Sequence, residues 1–575
     1  MTNLVDFVAS RSDAEKLLPG GFQIFSGTRQ LVRAVSSFDK LRISRADSSR
    51  QATVRTAIAE YAEKFQSKLS RIVDDARILE EVQSRIDLLK DRDRNWQTLF
   101  LMSAHQPNLF AYSGVMRKII LLWFIEQSLR SSQIQQEAKS EIVCFYGFAD
   151  HDFVHNKWVR SAEIDSPIRK DGVLRYSIKI DQNQTYLPTN KIQKPGPELL
   201  EKWQAQTEVW ISENLSLTKK YLRGKGGDTS GDGRGGGSLN DTRRAFEDFW
   251  SLVQKSQQVA ENLAEFSSLL LAAVAQEKWK IPMLFANFSD CFKSFSDEYL
   301  WLVSNKETFA SIVENEEAGM KSQGIDTGLA SDIGELSPLW LKCDCGSKYR
   351  MEMRGDEVLG RCVRCGADYT IELEKLKRLI ADKPERIEPR SIAMPIVFSK
   401  AVGMACYVGG IGSLGYLMHS SAISTALNVI FPPTPFWYSE DEFKSIQKLA
   451  ELAELDRMQK AYLQERRDPT GDYLIIARAL EERLADPVKA SVAKRPAEVE
   501  RDKQLLKRIL SKKGSGTTSC MVDYAVNISL ERSAEQWLQF LRNDGRLMTP
   551  VHMTCLFEAP PDLSESWTGP VPSMS

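Results

Sequence analysis

No stretch of this 575-residue chain stays apolar over the length a bilayer requires. Polar residues interrupt every hydrophobic run well before it, so the sequence predicts no membrane span. The opening residues, MTNLVDFVASRSDAEK, carry acids where a secretory signal would carry a basic region and an apolar run, which points to a cytoplasmic protein. Net charge is also missing. Lys plus Arg number 76 against 77 Asp plus Glu, which leaves no global field to attract nucleic acid or an anionic membrane. The local exception, RDKQLLKRILSKKG at 501–514, has six bases and one acid and reads as a solvated helix face. Cysteine is scarce as well: nine in a chain with material for about three or four domains exclude a disulfide scaffold.

Four of those cysteines are clustered, and they form the most specific chemical signal present. In LKCDCGSKYRMEMRGDEVLGRCVRCGADYTIEL, Cys343 and Cys345 make one pair and Cys362 and Cys365 the other, each pair ending in Cys-Gly. Two tight turns separated by a hairpin can bring four thiolates to a tetrahedral zinc. The first pair is C-x-C, tighter than the usual C-x2-C, and the alternative is four buried free thiols. A zinc held by four protein thiolates has no open position, so it would fold a zinc ribbon without doing chemistry.

The stretch EIVCFYGFADHDFVHNKW at 141–158 poses a second question, because His151, Asp152 and His155 spell most of a zinc-protease signature. The continuous apolar run from Ile142 to Phe148 predicts a strand buried on both faces. A protease motif needs its two histidines one turn apart on a helix, and here a strand runs almost into the first. Asp150, His151, Asp152, His155 and Asn156 therefore read as the polar end of a strand, where open α/β sheets bind ligands.

Apolar residues at Ile58, Tyr61, Phe65, Leu69, Ile72, Ala76, Leu79, Val82, Ile86 and Leu89 predict one long helix with a narrow stripe. A second such stretch spans 443–467, and the charged segment 481–513 also reads as helical; these helices either pack on a core or form a coiled-coil hairpin or dimer seam. Residues 223–241, RGKGGDTSGDGRGGGSLND, form a glycine-rich flexible insertion with no strand leading into it and no P-loop lysine. Residues 98–127 read as a strand to Met102, a polar turn and a helix. Residues 387–422 read as a strand over Ala393 to Phe398, another over Met404 to Val408, then Gly409, Gly410 and Gly412. Glycines at such a junction allow close approach of an anion to a helix N-terminus, although the same pattern also serves simply as a turn. Cys144 and Cys406 fall inside predicted strands, as inert small hydrophobes, and Tyr407 and Tyr416 read as core.

Three of these segments together resemble one family. SAHQPNLFAYSGVMRKI is similar to a Gly-Gln-Gln-x-Gly-Leu-Phe turn and helix, GFADHDFVHNKWV to a Glu-Asp-His-Asp-Phe strand end, and ACYVGGIGSLGYL to a Tyr-Val-Gly-Gly-Pro-Gly turn, in that order. The chain resembles the bacillithiol-biosynthesis cysteine-adding enzymes, the BshC cysteine ligases, thinly over most of its length. Ala104, His105 and Asn108 replace the family's Gly, Gln and Gly, while Ile411 and Ser413 replace Pro and Glu; the zinc ribbon is an addition. The resemblance implies an α/β fold: a Rossmann-like nucleotidyltransferase-type core, similar to class I aminoacyl-tRNA synthetases, with a coiled coil that supports a homodimer. It also implies ligation of L-cysteine to the amino group of glucosaminyl-malate.

The expected layout is an N-terminal helical region at 1–97, core at 98–205 and 387–440, a helical connective segment at 206–335, the zinc ribbon at 336–375 and a helical coiled-coil region at 441–575. Amide formation needs an activated carboxylate, an oriented amine and a base. His105 and the helix end after it are assigned to the phosphates of ATP or another nucleotide, with Gln106 and Asn108 beside them. Asp150 and Asp152 are assigned to the amine or hydroxyls of the substrate, His151 to the base, and Asn156 to the same site. Gly409, Gly410, Gly412 and Ser413 are assigned to the nucleotide or the acidic arm. The competing structural roles are a turn histidine bonded to backbone at 105, and helix capping with a satisfied imidazole at 150–152. The competing functions are an amino-acid or acyl ligase or transferase acting on another amine, and a non-catalytic synthetase-like nucleotide-binding protein. No membrane or nucleic-acid partner is expected.

Overall fold

The structure is a computed structural model that describes residues 2–3, 31, 33–35, 48–111, 113–131, 141–165, 173–222, 239–327, 337–410 and 413–437. The stretch 443–467, the segment 481–513 and nearly all of the glycine-rich insertion lie outside the described residues. Among the described residues, no helix is long and apolar enough to cross a membrane.

Five parallel strands form the centre: β1 (Leu99–His105), β2 (Ile142–Phe148), β3 (Leu284–Asn287), β4 (Met404–Gly410) and β5 (Phe436–Trp437). Their spatial order is β5-β4-β1-β2-β3, so the direction of strand addition reverses between β1 and β4. The run from Ile142 to Phe148 is buried at every position, as an apolar strand covered on both faces must be. Side chains alternate between two hydrophobic cores. Leu99, Leu101, Cys144 and Tyr146 enter one, with helix α3 (Ser113–Arg130) and the helix Leu263–Ala273. Phe100, Met102, Val143 and Phe145 enter the other, with helices α1 (Ser48–Leu69), α2 (Ala76–Lys90), α4 (Ala393–Val402) and α5 (Leu414–Ala426).

The stripe from Ile58 to Leu89 is not one helix. It breaks after Leu69, and Asp75 caps a second helix by accepting from the Ile78 amide at 3.2 Å. The two helices lie side by side and turn most of the stripe into this chain's own cores, as core-packing helices do. Arg55, fully buried on α1, ties that pair to the sheet by donating to the carbonyls of Thr98 at 2.8 Å and Val402 at 2.9 Å.

Two elements differ from expectation. Ala393 to Phe398 is helix, not strand. Its β-branched run is buried in a helical interior, Pro395 stands in the first turn where its missing N–H costs nothing, and Gly403 closes the helix at φ +60. In addition, the segment expected to be purely helical supplies β3, a four-residue edge strand.

A second, five-stranded sheet packs at the carboxyl end of β2. It is antiparallel and contains Leu339–Lys342, Lys348–Arg354, Glu357–Cys362, Asp368–Glu372 and Ile387–Pro389. This is the four-cysteine module.

Candidate functional site

The three segments expected to carry chemistry converge. β1 ends at His105, β2 runs into Asp150, and β4 ends at Gly410. These strands are neighbours in the order β4-β1-β2, so their carboxyl ends lie side by side at the reversal of strand order, the place where open parallel sheets bind ligands. Gly147 keeps β2 close to the helix after β3, since a Cβ there would lie 1.8 Å from the Phe288 ring.

Beyond β1 the chain turns through Gln106 to Ala111. Phe110 takes φ +47, an uncommon conformation for a residue with a side chain, and its ring is held edge-on by Tyr176 at 5.4 Å and Trp203 at 5.8 Å. The turn is thereby fixed, and Gln106 reaches β2. Its Nε2 donates to Asp152 Oδ2 at 2.8 Å, while its Oε1 accepts from Asn156 Nδ2 at 2.8 Å. Asn156 also caps the short helix Lys157–Arg160, accepting from the Trp158 amide at 3.0 Å. Gln106, Asp152 and Asn156 thus form one linked polar set. Only the Asp152 carboxylate among the site acids keeps appreciable exposure, 31% of its side chain.

Asp150 behaves differently. It is buried, and it accepts from the Ser289 amide at 2.9 Å, from the Ser289 hydroxyl, and from Asn190 Nδ2 at 2.9 Å. Burial pushes its carboxyl up, and those donors with His151 work against the rise. Asp150 therefore locks β2 to the helix after β3 and to the turn at 189–191, and offers no free oxygen to a substrate.

His151 is 3% exposed, with Nε2 3.6 Å from Asp152 Oδ1, its ring edge-on to Phe292 at 4.6 Å and no hydrogen-bond partner at Nδ1 among the described residues. Burial and then Lys348 hold its imidazole below the usual histidine range, against the pull of Asp152, Glu388 and Asp150. His155 is exposed, and the stretch between the two histidines is not helical, so the protease-like pattern makes no metal pair. His105 bonds through Nδ1 to the Gln106 carbonyl at 3.0 Å; burial and then Lys118 push it down to about 3. It is a neutral imidazole at pH 7, and its contribution to a phosphate site is a hydrogen bond and not a charge.

The neutral histidines fix a sign for acid stability. An unfolded histidine titrates near 6.5, so below about that pH the unfolded chain binds protons that folded His105 and His151 refuse. Stability is unaffected above that value and should fall as pH drops through it. The urea midpoint should decline between about pH 7 and about pH 5, less so in His105→Gln; an equal decline in both proteins would remove His105 from the account.

At the end of β4, Ser413 Oγ accepts from the Gly410 amide at 2.9 Å and donates to the Gly410 carbonyl at 2.5 Å. Gly409 lies in the strand, and Gly412 lies outside the described residues. Burial pushes the Tyr416 hydroxyl up to about 12, with Ser413 and Tyr407 as partners and the Asp152 charge adding to the rise. Asn108 is buried with both amide atoms unpartnered among the described residues. Sequence reasoning missed Lys118, Asn190, Ser289, Lys348 and Glu388. Each is an ordinary polar residue whose place beside the site arises only from packing.

The four cysteines do come together. Their sulfurs lie within 4.8 Å of one another, with Cys343 to Cys365 at 3.8 Å and Cys345 to Cys362 at 3.5 Å. A tetrahedron with bonds of ~2.3 Å to zinc has sulfurs about 3.8 Å apart, so the set fits a structural metal. Gly346 at φ +88 and Gly366 at φ +71 make the two knuckle turns, a conformation open to glycine. Cys144 and Cys406 are buried thiols pushed up by burial, as expected for packing residues.

No protein-family model matches the chain, and no curated protein matches it.

Proposed function

We propose that the chain is a carbon-nitrogen ligase that joins L-cysteine to the amino group of glucosaminyl-malate, on a Rossmann-like nucleotidyltransferase-type core braced by a zinc ribbon. The observation that carries the reading is the convergence of the three motif-like segments at the carboxyl ends of adjacent strands, in an all-parallel sheet ordered 3-2-1-4-5 in sequence numbering. A homodimer through the C-terminal coiled coil belongs to the same reading.

The carboxylate must first be activated as an acyl phosphate or acyl adenylate, with ATP or another nucleotide supplying the group. The amine nitrogen then attacks the acyl carbon, the phosphate or nucleotide leaves with the electron pair, and a base takes the amine proton. Asp152, steered by Gln106 and partly exposed, is the group placed to hold the amine. His151, neutral and 3.6 Å from it, is the base. Asp150 becomes a positioning residue. Asn156 orients Gln106, and His105, Asn108, Gly409, Gly410 and Ser413 border the activated group.

The test is incubation with cysteine, glucosaminyl-malate and ATP, omitting each in turn, with mass spectrometry for the cysteinyl amide. A product that requires both cysteine and the amino sugar supports the ligase, and its dependence on ATP identifies the activator. No product from folded protein with all three present would overturn it. Asp152→Asn should lower turnover by about 10²-fold, the usual worth of a group that positions a reactant, with melting unchanged. Unchanged activity per folded molecule would remove Asp152 from the chemistry.

A further inference from the structure

Two lysines are almost fully buried among the described residues, Lys118 at 5% and Lys348 at 2% exposure. Lys348 has a carboxylate, Glu388 Oε2 at 2.7 Å. Lys118 has none within ion-pair distance among the described residues. Its one hydrogen bond among them is to the Ala104 carbonyl, donated from Nζ at 2.9 Å. An ammonium has three donors, so two are left over, and a buried charge without a counter-charge is unfavourable.

Its location gives those donors a use. Ala104 is the penultimate residue of β1 and Gly410 the last of β4. A Cβ on Gly410 would stand 2.8 Å from Lys118 Cε and 3.3 Å from Nζ. The amine is therefore lodged between the carboxyl ends of the two strands at which the sheet order reverses, where open parallel sheets bind their ligands. The Gly410 amide is capped by Ser413, so among the described residues the free donors at this strand end are those of the amine.

We propose that Lys118 is the cationic centre of an oxyanion subsite between β1 and β4, taking a phosphate or carboxylate group of the substrate. The subsite deepens the ligase reading and rests on it for the identity of the anion, which is either the nucleotide's polyphosphate or the dicarboxylate arm of the amino sugar. Burial brings the Lys118 amine down to about 7, so part of the unliganded protein carries it neutral. An arriving anion restores the charge, and binding takes up a proton. Three neighbouring groups do not titrate in the neutral range: His105 is held down at about 3, Tyr416 up at about 12, and Tyr407 well above its ordinary value.

The experiment is isothermal titration of the full chain with inorganic pyrophosphate and, separately, with malate, in two buffers of different ionisation heat near neutral pH. Wild-type protein should bind one of the two with proton uptake, and the one that binds identifies the source of the anion. Lys118→Met, close in size and apolar, should melt no lower yet weaken binding by about 10- to 100-fold and abolish the uptake. Gly410→Ala, which displaces the end of Lys118 without removing its charge, should weaken the same ligand. No binding of either anion by wild type, or equal affinity and uptake in Lys118→Met, overturns the subsite. The ligase reading fails separately: a chain that binds pyrophosphate through Lys118 but makes no amide keeps the subsite, and one whose Lys118→Met variant makes amide undiminished keeps only the ligase.

Discussion

Cys362→Ser should release the metal from the four-cysteine module and, with it, loosen the candidate site. Structural zinc in small modules contributes an apparent ~10–16 kcal/mol of binding free energy, which is folding free energy when the site forms only in the folded state. The hairpin between the knuckles has little else: along Lys348–Arg354 and Glu357–Cys362 the apolar side chains fully buried are Met351 and Val358, while Leu339, Leu341 and Ile387 anchor the neighbouring strands of the sheet. The effect should travel. Ser347 Oγ donates to the Tyr186 carbonyl at 2.6 Å and Arg364 Nε to the Asn183 carbonyl at 2.7 Å, so both knuckles grip the turn at 182–191. That turn carries Thr189, whose hydroxyl donates to the Asp152 carbonyl at 2.8 Å, and Asn190, which holds Asp150. Metal analysis should find about one zinc per wild-type chain and none in the variant, and hydrogen exchange should speed up at the Thr189 and Asn190 amides. Retention of stoichiometric zinc would show the ligand set to be wrong. Loss of zinc with unchanged exchange at those amides would show that the module does not brace the site.

What the sequence announced and what it hid follow one physical division. β2 was legible because a strand covered on both faces is a continuous apolar run, and its polar terminus marks the site by abrupt contrast. The four cysteines were legible because thiolate pairs with knuckle glycines have few other uses. Ala393 to Phe398 resembles a strand because β-branched residues at full burial carry no period; the features that make it a helix, Pro395 in the first turn and Gly403 at the end, are local. The break at Ser70 to Asp75 was missed because the second helix resumes the stripe of the first against the same cores. Lys118 lies in MRKIILLWF, where adjacent cations at the start of an apolar helical run read as its solvated edge, and the packing of α3 on the sheet buries it. Lys348 and Glu388 are distant in sequence and become a pair only when the strand Ile387–Pro389 returns beside Leu339–Lys342.

That pair supplies a second large effect. Both side chains are 2% exposed and lie 2.7 Å apart, with Lys342 adding a contact to Glu388 at 3.2 Å and the Phe153 ring 4.9 Å from the Lys348 ammonium. Burial alone would raise the Glu388 carboxyl, but Lys348 chiefly, with Lys342, outweighs it and holds the group at about 2. Removing one partner strands the other, so Glu388→Gln and Lys348→Met should each cost about 3–5 kcal/mol in chemical denaturation. Combining Lys348→Met with Glu388→Leu should recover much of the loss, because two apolar side chains leave no uncompensated charge. The pair also reaches the candidate site, since Lys348 pushes the His151 imidazole down and Glu388 pulls it up. In variants that remain folded, NMR titration should therefore find His151 shifted upward in Lys348→Met and downward in Glu388→Gln. Two shifts of the same sign, or none, would disconnect the ion pair from His151 and leave the module a purely mechanical brace for the site.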